Sequence, residues 1–186
     1  MADLYLALLH YPVYDKDHKV VTTSITNMDI HDIARSARTY GVKRYFVVTP
    51  VRTLRALSEE ILDHWEHGYG SVYNETRKDA LSLVTLTDDL NGVIKEIVQE
   101  AGETPCVVVT SARSGPRRSS FAEVKVLLDA PGVPLLLVLG TGWGLTEEVL
   151  DRANIVLEPI RGVGEYNHLS VRAAAAIMLD RLRQAR

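Results

Sequence analysis

Short apolar runs alternate with amphipathic stretches along the whole chain, and this alternation limits the fold more than any other feature. The runs are Leu4 to Leu9, Arg44 to Thr49, Leu81 to Leu86, Cys106 to Thr110, Leu135 to Leu139 and Ile155 to Leu157. Each is short, and most are apolar almost without interruption, the pattern of strands buried on both faces. Helical spacing fills the intervals. Ile30, Ile33, Ala34 and Ala37 mark a helix over 29–40 that Gly41 stops, and Leu54, Leu57, Ile61 and Leu62 mark another over 51–67 after Pro50. Val93, Ile94, Ile97 and Val98 mark a third over 90–101, and further helices are expected at 121–128, 146–152 and 169–183. The alternation predicts an α/β fold, a mostly parallel sheet flanked by helices.

Bulk properties agree with one globular unit. The 186 residues, 46% hydrophobic and 24% charged, suffice for a core that needs no staples, so a single domain over 1–186 is expected. Cys106, the only cysteine, lies in an apolar run; with no partner for a disulfide, it reads as a small buried hydrophobe of a reducing compartment. The six histidines lack metal-ligand spacing. His64 and His67 fit a solvated helix face, and no metal is expected. The start Met1-Ala2-Asp3-Leu4-Tyr5 lacks the basic and apolar regions of a signal peptide. The longest apolar run, Val133 to Leu139, is too short to span a bilayer. A cytoplasmic protein without membrane contact is expected. A formal net charge of −3 excludes coating of nucleic acid by bulk charge but leaves room for a local basic patch.

Ligands of open α/β sheets settle beyond the carboxyl ends of the strands, and three loops there are chemically unusual. Gly140-Thr141-Gly142-Trp143-Gly144 is open to two readings: glycines that let a ligand approach the backbone, or an ordinary strand-to-helix turn. It has neither the Gly-Lys-Ser/Thr ending of a phosphate loop nor a dinucleotide fingerprint. Trp143 either stacks on a base or simply packs. The segment Glu158 to Ser170 holds Pro159, Gly162 and Gly164 beside Tyr166-Asn167-His168-Leu169-Ser170; Asn167 or Ser170 alone also suits a helix cap. The loop Arg113-Ser114-Gly115-Pro116-Arg117-Arg118 is either a phosphate grip or a solvated basic loop. Tyr14, Lys16, His18 and Lys19, in the segment 11–19, are open to the same two readings. No Gly-x-Ser-x-Gly elbow marks a serine hydrolase.

The order of these last loops resembles the SPOUT superfamily of RNA methyltransferases. The SpoU-type strand, Gly-Ser/Thr turn and Gly-Leu-Ser-x-Glu segment is matched by Leu137-Val138-Leu139-Gly140-Thr141-Gly142-Trp143-Gly144-Leu145-Thr146-Glu147. The following strand, Pro-containing loop and Ser-Val-Ala-Ala-Ala-Ile-like helix start are matched by Ile155-Val156-Leu157-Glu158-Pro159-Ile160 and Ser170-Val171-Arg172-Ala173-Ala174-Ala175-Ala176-Ile177. Asn27 and Arg35, in Thr26-Asn27-Met28-Asp29-Ile30-His31-Asp32-Ile33-Ala34-Arg35, match the first motif. The whole chain is also similar to bacterial RNA methyltransferases related to the tRNA guanine-N1 enzymes. The chain departs in two respects: Gly142-Trp143-Gly144 stands where the SpoU turn carries Glu, and the Asn before the final helix motif is either Asn167 or replaced by His168. These departures leave ribose 2′-oxygen and base nitrogen equally open as acceptors.

The resemblance implies a carboxy-terminal trefoil knot, a topology essentially absent from ordinary folds, with S-adenosylmethionine bound among the knot loops. Cofactor contacts are then expected from Thr110 and Ser111, from Leu139, Gly140, Thr141, Gly142 and Trp143, from Leu157, Glu158, Pro159 and Ile160, and from Gly164, Tyr166, Asn167, His168 and Leu169. It implies catalytic roles for Asn27, Arg35, His168 and Ser170, a homodimer, and an RNA substrate, tRNA or rRNA. Arg35 stays protonated and suits phosphate or developing negative charge, although a helical ion pair with Asp32 also accounts for it. His168 is the better base. Arg113, Arg117 and Arg118 are expected to contact RNA. Two other functions fit the same residues: a SAM-binding regulator without turnover, and an unrelated α/β nucleotide-binding protein.

Overall fold

The computed structural model describes residues 1–184. From β1 (Leu4–Leu9) the chain enters an antiparallel ribbon, β2 (Val13–Tyr14) and β3 (Val20–Val21), then α1 (Asn27–Thr39) and β4 (Tyr45–Val48). Helices α2 (Arg52–Glu66), α3 (Tyr69–Tyr73) and α4 (Glu75–Leu81) precede β5 (Val84–Thr87). Next come α5 (Leu90–Ala101), β6 (Cys106–Val109), α6 (Phe121–Asp129), β7 (Leu135–Gly140), α7 (Glu147–Asp151), β8 (Ile155–Val156) and α8 (Val171–Arg183).

Six strands form one sheet in the order β5-β4-β1-β7-β6-β8, each neighbour parallel to the next. This is the expected α/β class. Its central strands are apolar throughout because both faces are covered. Leu4, Leu6 and Leu8 of β1 join Tyr45, Val47, Leu135, Leu137 and Leu139 in a layer with α1, α6 and α8. Tyr5, Ala7 and Leu9 point the other way, with Phe46, Val48, Leu136 and Val138, against α5 and α7. The period of two along each strand divides one hydrophobic run between two layers.

The helix starts are set by capping. Thr26, Asp89, Ser120 and Ser170 each accept a backbone N–H in the first turn of the helix they precede. Ser120 completes a reciprocal box with Glu123. The expected helix over 90–101 forms with those bounds, and Gly41, just past α1, takes a positive φ of 68°.

Three features differ from expectation. The segment 11–19, for which no strand is expected, lies largely within the β2–β3 ribbon. Residues 69–81 form two short helices, and β5 begins at Val84 because Leu81 ends α4 and packs in the core. The last strand pairs through only two residues, Ile155 and Val156.

All six strands point the same way, so their carboxyl ends share one rim. There β1 leads toward β4, on one side, and β7 leads toward β8, on the other. The loops diverge and leave a crevice at this reversal, where open α/β sheets hold ligands.

Candidate functional site

A cavity of about 690 Å³ opens at that crevice, within the size range of small-molecule sites. Four segments surround it: 23–29 after β1, 110–113 after β6, 139–145 at the end of β7, and 160–178 after β8. Of the residues expected around a cofactor, Thr110, Ser111, Leu139, Gly140, Thr141, Gly142, Trp143, Ile160, Asn167, His168 and Leu169 line it.

The glycine turn has a local explanation. Gly142 sits at φ 59°, and a Cβ there would lie 2.7 Å from the Tyr14 carbonyl oxygen. A Cβ on Gly140 would press within 2.8 Å of the Leu145 side chain. The ribbon causes the crowding at Gly142. Trp143 N–H donates to the Tyr14 carbonyl at 2.8 Å, and Tyr14 N–H donates to the Gly144 carbonyl at 2.9 Å. The glycines thus let the ribbon lock the turn, and the locked turn forms one cavity wall. The turn reading of this segment therefore has a structural cause in its packing.

A part-buried hydrogen-bond chain ties the turn to β1. Thr141 Oγ1 donates to the Leu9 carbonyl at 3.0 Å and lies 2.5 Å from Thr23 Oγ1, which is 3.0 Å from His10 Nδ1. The Thr141 proton is spent on Leu9, so the Thr23 hydroxyl donates to Thr141 and His10 donates from Nδ1. That fixes the tautomer of the fully buried His10 and leaves Nε2 as an acceptor without a partner. Burial pushes the His10 pKa down to about 4, against an opposing contribution from the Asp29 carboxylate.

Asp29, in the first turn of α1, also lines the cavity and is 6% exposed. Its carboxylate accepts from Thr26 Oγ1 at 2.6 Å and pairs with Arg172 NH1, from the first turn of α8, at 3.2 Å. Arg172 Nε also lies 3.7 Å from Asp32, which stands 4.0 Å from Arg35. These charges run in a row from cavity to solvent. Arg35 occupies its outer end, well exposed, in the helical ion pair that its sequence position allows.

The other expected site residues are scattered. Asn27 begins α1, and neither it nor Arg35 lines the cavity. Ser170 caps α8 by accepting from Ala173 N–H, and Asn167 donates from Nδ2 to the Ala112 carbonyl at 3.0 Å. Exposed His168 lines the mouth with its ring edge against Tyr166, 5.2 Å between centroids. Leu157, Glu158, Pro159, Gly164 and Tyr166 are not in the lining. Leu157 is buried and bridges to Ser119, and Glu158 Oε1 accepts the Phe121 N–H at 3.0 Å. In the basic loop, Arg113 reaches the Trp143 carbonyl at 3.4 Å and Arg117 is exposed, while Arg118 folds inward beside Gly115.

Sequence reasoning missed Thr23, Ser24, Asp29 and Arg172 as lining residues. A charge in the first turn of an otherwise Ala-rich helix was the available signal for Arg172. Among the described residues, no three of His, Cys, Asp and Glu are grouped to hold a metal. No helix among them is long and apolar enough to cross a membrane.

Comparison with known proteins supplies the context for this geometry. The model of a family described as SAM-dependent RNA methyltransferase matches residues 3–184. A protein of Nitratidesulfovibrio vulgaris named tRNA (guanine-N(1)-)-methyltransferase is 46% identical over 180 residues, which are 97% of this chain and 42% of that protein. An uncharacterised protein of Aquifex aeolicus is 40% identical over 97% of this chain and 88% of its own length. Among solved structures, the TrmH/SpoU tRNA modifying enzyme of A. aeolicus superposes with a TM-score of 0.57 at 17% identity, covering 99% of this chain and 75% of that one. The fold is thus that of the TrmH/SpoU enzymes.

Proposed function

Because the chain belongs to the SAM-dependent RNA methyltransferase family, we propose that it transfers a methyl group from S-adenosylmethionine to RNA, with the cofactor seated in the rim cavity. The observation that carries this reading is the convergence of the 110–113, 139–145 and 160–172 segments on one cavity at the strand reversal. The lining suits such a cofactor. Leu139, Leu145, Ile160, Leu169 and Met178 offer apolar surface for an adenine, and the glycine turn offers backbone without side-chain charge. Thr23, Ser24, Thr110 and Ser111 add neutral polar groups.

The cofactor supplies the reactive methyl group; the chain's own task is to orient the acceptor and manage its proton. His168, at the cavity mouth, takes the proton that a ring nitrogen or ribose hydroxyl must lose. Arg113 and Arg117 hold the phosphates beside it. Exposed Trp143, Tyr166 and Leu169 surround the same mouth and suit a surface that a partner covers. A homodimer accounts for these together with Asn27 and Arg35, which lie outside their own cavity and serve the partner's site.

A threaded carboxy-terminal crossing is supported by the lacing of 157–167 to 112–121: Glu158 N–H to the Ser119 carbonyl, Phe121 N–H to Glu158, and Asn167 to Ala112. Both hydrophobic layers close on the same sheet, which supports one domain over the whole chain. An RNA substrate is in keeping with a cytoplasmic protein.

The chain spans 42% of the guanine-N1-named relative, so the acceptor atom is not taken from that name. tRNA is the first substrate to test, rRNA the second. Purified protein incubated with methyl-labelled S-adenosylmethionine is expected to label RNA from a strain lacking the gene and to leave RNA from the parent strain unlabelled. Mass mapping of the labelled nucleoside separates base nitrogen from ribose oxygen. Absence of label from both RNA pools, with cofactor binding intact, identifies a SAM-binding regulator instead.

A further inference from the structure

Four ionisable side chains line the cavity: Asp29, Arg113, His168 and Arg172. Arg113 and His168 belong to exposed loops at the mouth. Asp29 and Arg172 instead join the first turns of two long helices, α1 and α8, and put opposite charges 3.2 Å apart on one wall. The rest of the lining is neutral.

Asp29 is buried and Arg172 half-buried, and such an ion pair is a weak source of stability, because desolvation offsets much of the attraction and an apolar pair often serves as well. Its place on a cavity wall calls for another account. Asp29 keeps a second oxygen on the Thr26 hydroxyl, and Arg172 reaches Asp32, so each charge is held by neighbours besides its partner. Beside Arg172, the Val171 and Arg172 N–H groups lie too early in α8 to meet a carbonyl of their own helix. The wall therefore offers one anionic and one cationic pole at the spacing of an α-amino acid, whose ammonium and carboxylate share a single carbon.

Resting on the reading of the cavity as a cofactor site, we propose that Asp29 and Arg172 form the subsite for the amino-acid end of S-adenosylmethionine, the carboxylate facing its ammonium and the guanidinium its carboxylate. Adenine then occupies the apolar and glycine-lined side, and the charged wall discriminates the intact cofactor from shorter nucleosides. The two residues are 143 positions apart.

Calorimetry with S-adenosylhomocysteine, 5′-methylthioadenosine and decarboxylated S-adenosylmethionine tests this without requiring turnover. The unaltered protein is expected to bind S-adenosylhomocysteine at least roughly tenfold more tightly than 5′-methylthioadenosine, which lacks the amino-acid end. Decarboxylated S-adenosylmethionine, lacking only the carboxylate, should lose a similar factor relative to S-adenosylmethionine, and this arm needs no variant to fold. In Asp29→Asn and Arg172→Met the preference for S-adenosylhomocysteine should collapse while 5′-methylthioadenosine still binds as before. Equal weakening of both ligands marks the pair as a strut between helices and overturns the subsite, as does an unchanged preference. If the unaltered protein binds none of the nucleosides, the cofactor reading falls and the subsite with it; binding of the nucleosides without preference overturns the subsite alone.

Discussion

His10 shows how a residue without any motif is given a role by its hydrogen bonds. It ends the run after β1, is fully buried, and stays neutral because desolvation holds its pKa near 4. In the unfolded chain the ring titrates near 6.5, so between these values the unfolded state binds more protons than the folded one. The contribution of a neutral His10 is therefore complete above about pH 6.5 and is lost as pH falls toward about 4. The full span corresponds to roughly 3 kcal/mol. Urea unfolding at pH 7 and pH 4.5 should register most of that loss, and His10→Gln should flatten this part of the pH profile; an unaltered slope in the variant contradicts the assignment. Gly142 is the second residue whose constraint is local. Gly142→Ala meets both a left-handed φ and the Tyr14 carbonyl, so a stability loss of about 1–2 kcal/mol or more is expected in thermal unfolding, with weaker S-adenosylhomocysteine binding as the wall shifts. The sequence marks Gly142 as special, but the cause of its constraint lies in the ribbon, which no glycine pattern reveals.

At the scale of elements, the sheet was legible because its strands are buried on both faces and read as unbroken apolar runs, and α1, α2 and α5 because their apolar residues recur at helical spacing. The β2–β3 ribbon was not legible. Its strands have two residues each, and its pairing is completed by contacts with the distant turn at 143–145. The short helices α3 and α4 lack the length for a periodic pattern, and Tyr69, Val72 and Tyr73 of α3 are largely exposed. Glu158 illustrates a further ambiguity, since a polar residue at a strand end suits a ligand or a neighbouring helix equally well. Here its side chain accepts the Phe121 N–H at the start of α6, while Ser120 accepts the N–H of Glu123. Helix α6 is thus capped twice, once from its own sequence and once from across the carboxy-terminal crossing. Glu158→Ala is expected to cost about 1–2 kcal/mol in denaturant unfolding and to leave S-adenosylhomocysteine affinity within twofold. A large loss of affinity with unchanged stability would return Glu158 to the cofactor site.

For the whole molecule, the site's location follows from strand order, and strand order is what local patterns do not contain. The loops after β6, β7 and β8 were legible as chemically unusual, but their meeting with residues 23–29 requires β1 to lie beside β7, with β4 on its other side. The same arrangement bears on the proposed binding of RNA by an acidic chain. With a formal net charge of −3, attraction has to be local, and the 113–118 loop beside the cavity mouth is where cations gather. Its three arginines are not equivalent. Arg113 and Arg117 are exposed, whereas Arg118 turns back toward Gly115 with Nε and one terminal nitrogen buried. Each phosphate neutralised releases counterions, so the slope of log affinity against log salt counts the contacts made. Arg113→Gln with Arg117→Gln is expected to lower that slope by roughly 1.5–2 for a tRNA ligand, and Arg118→Gln alone by less than about 1. Filter binding from 50 to 200 mM salt measures both. Because phosphates position without specifying sequence, the loss should be similar for unrelated RNAs. If the double variant keeps the original slope, RNA reaches the cavity by another face, with the ribbon tip of Lys16, His18 and Lys19 the next surface to neutralise.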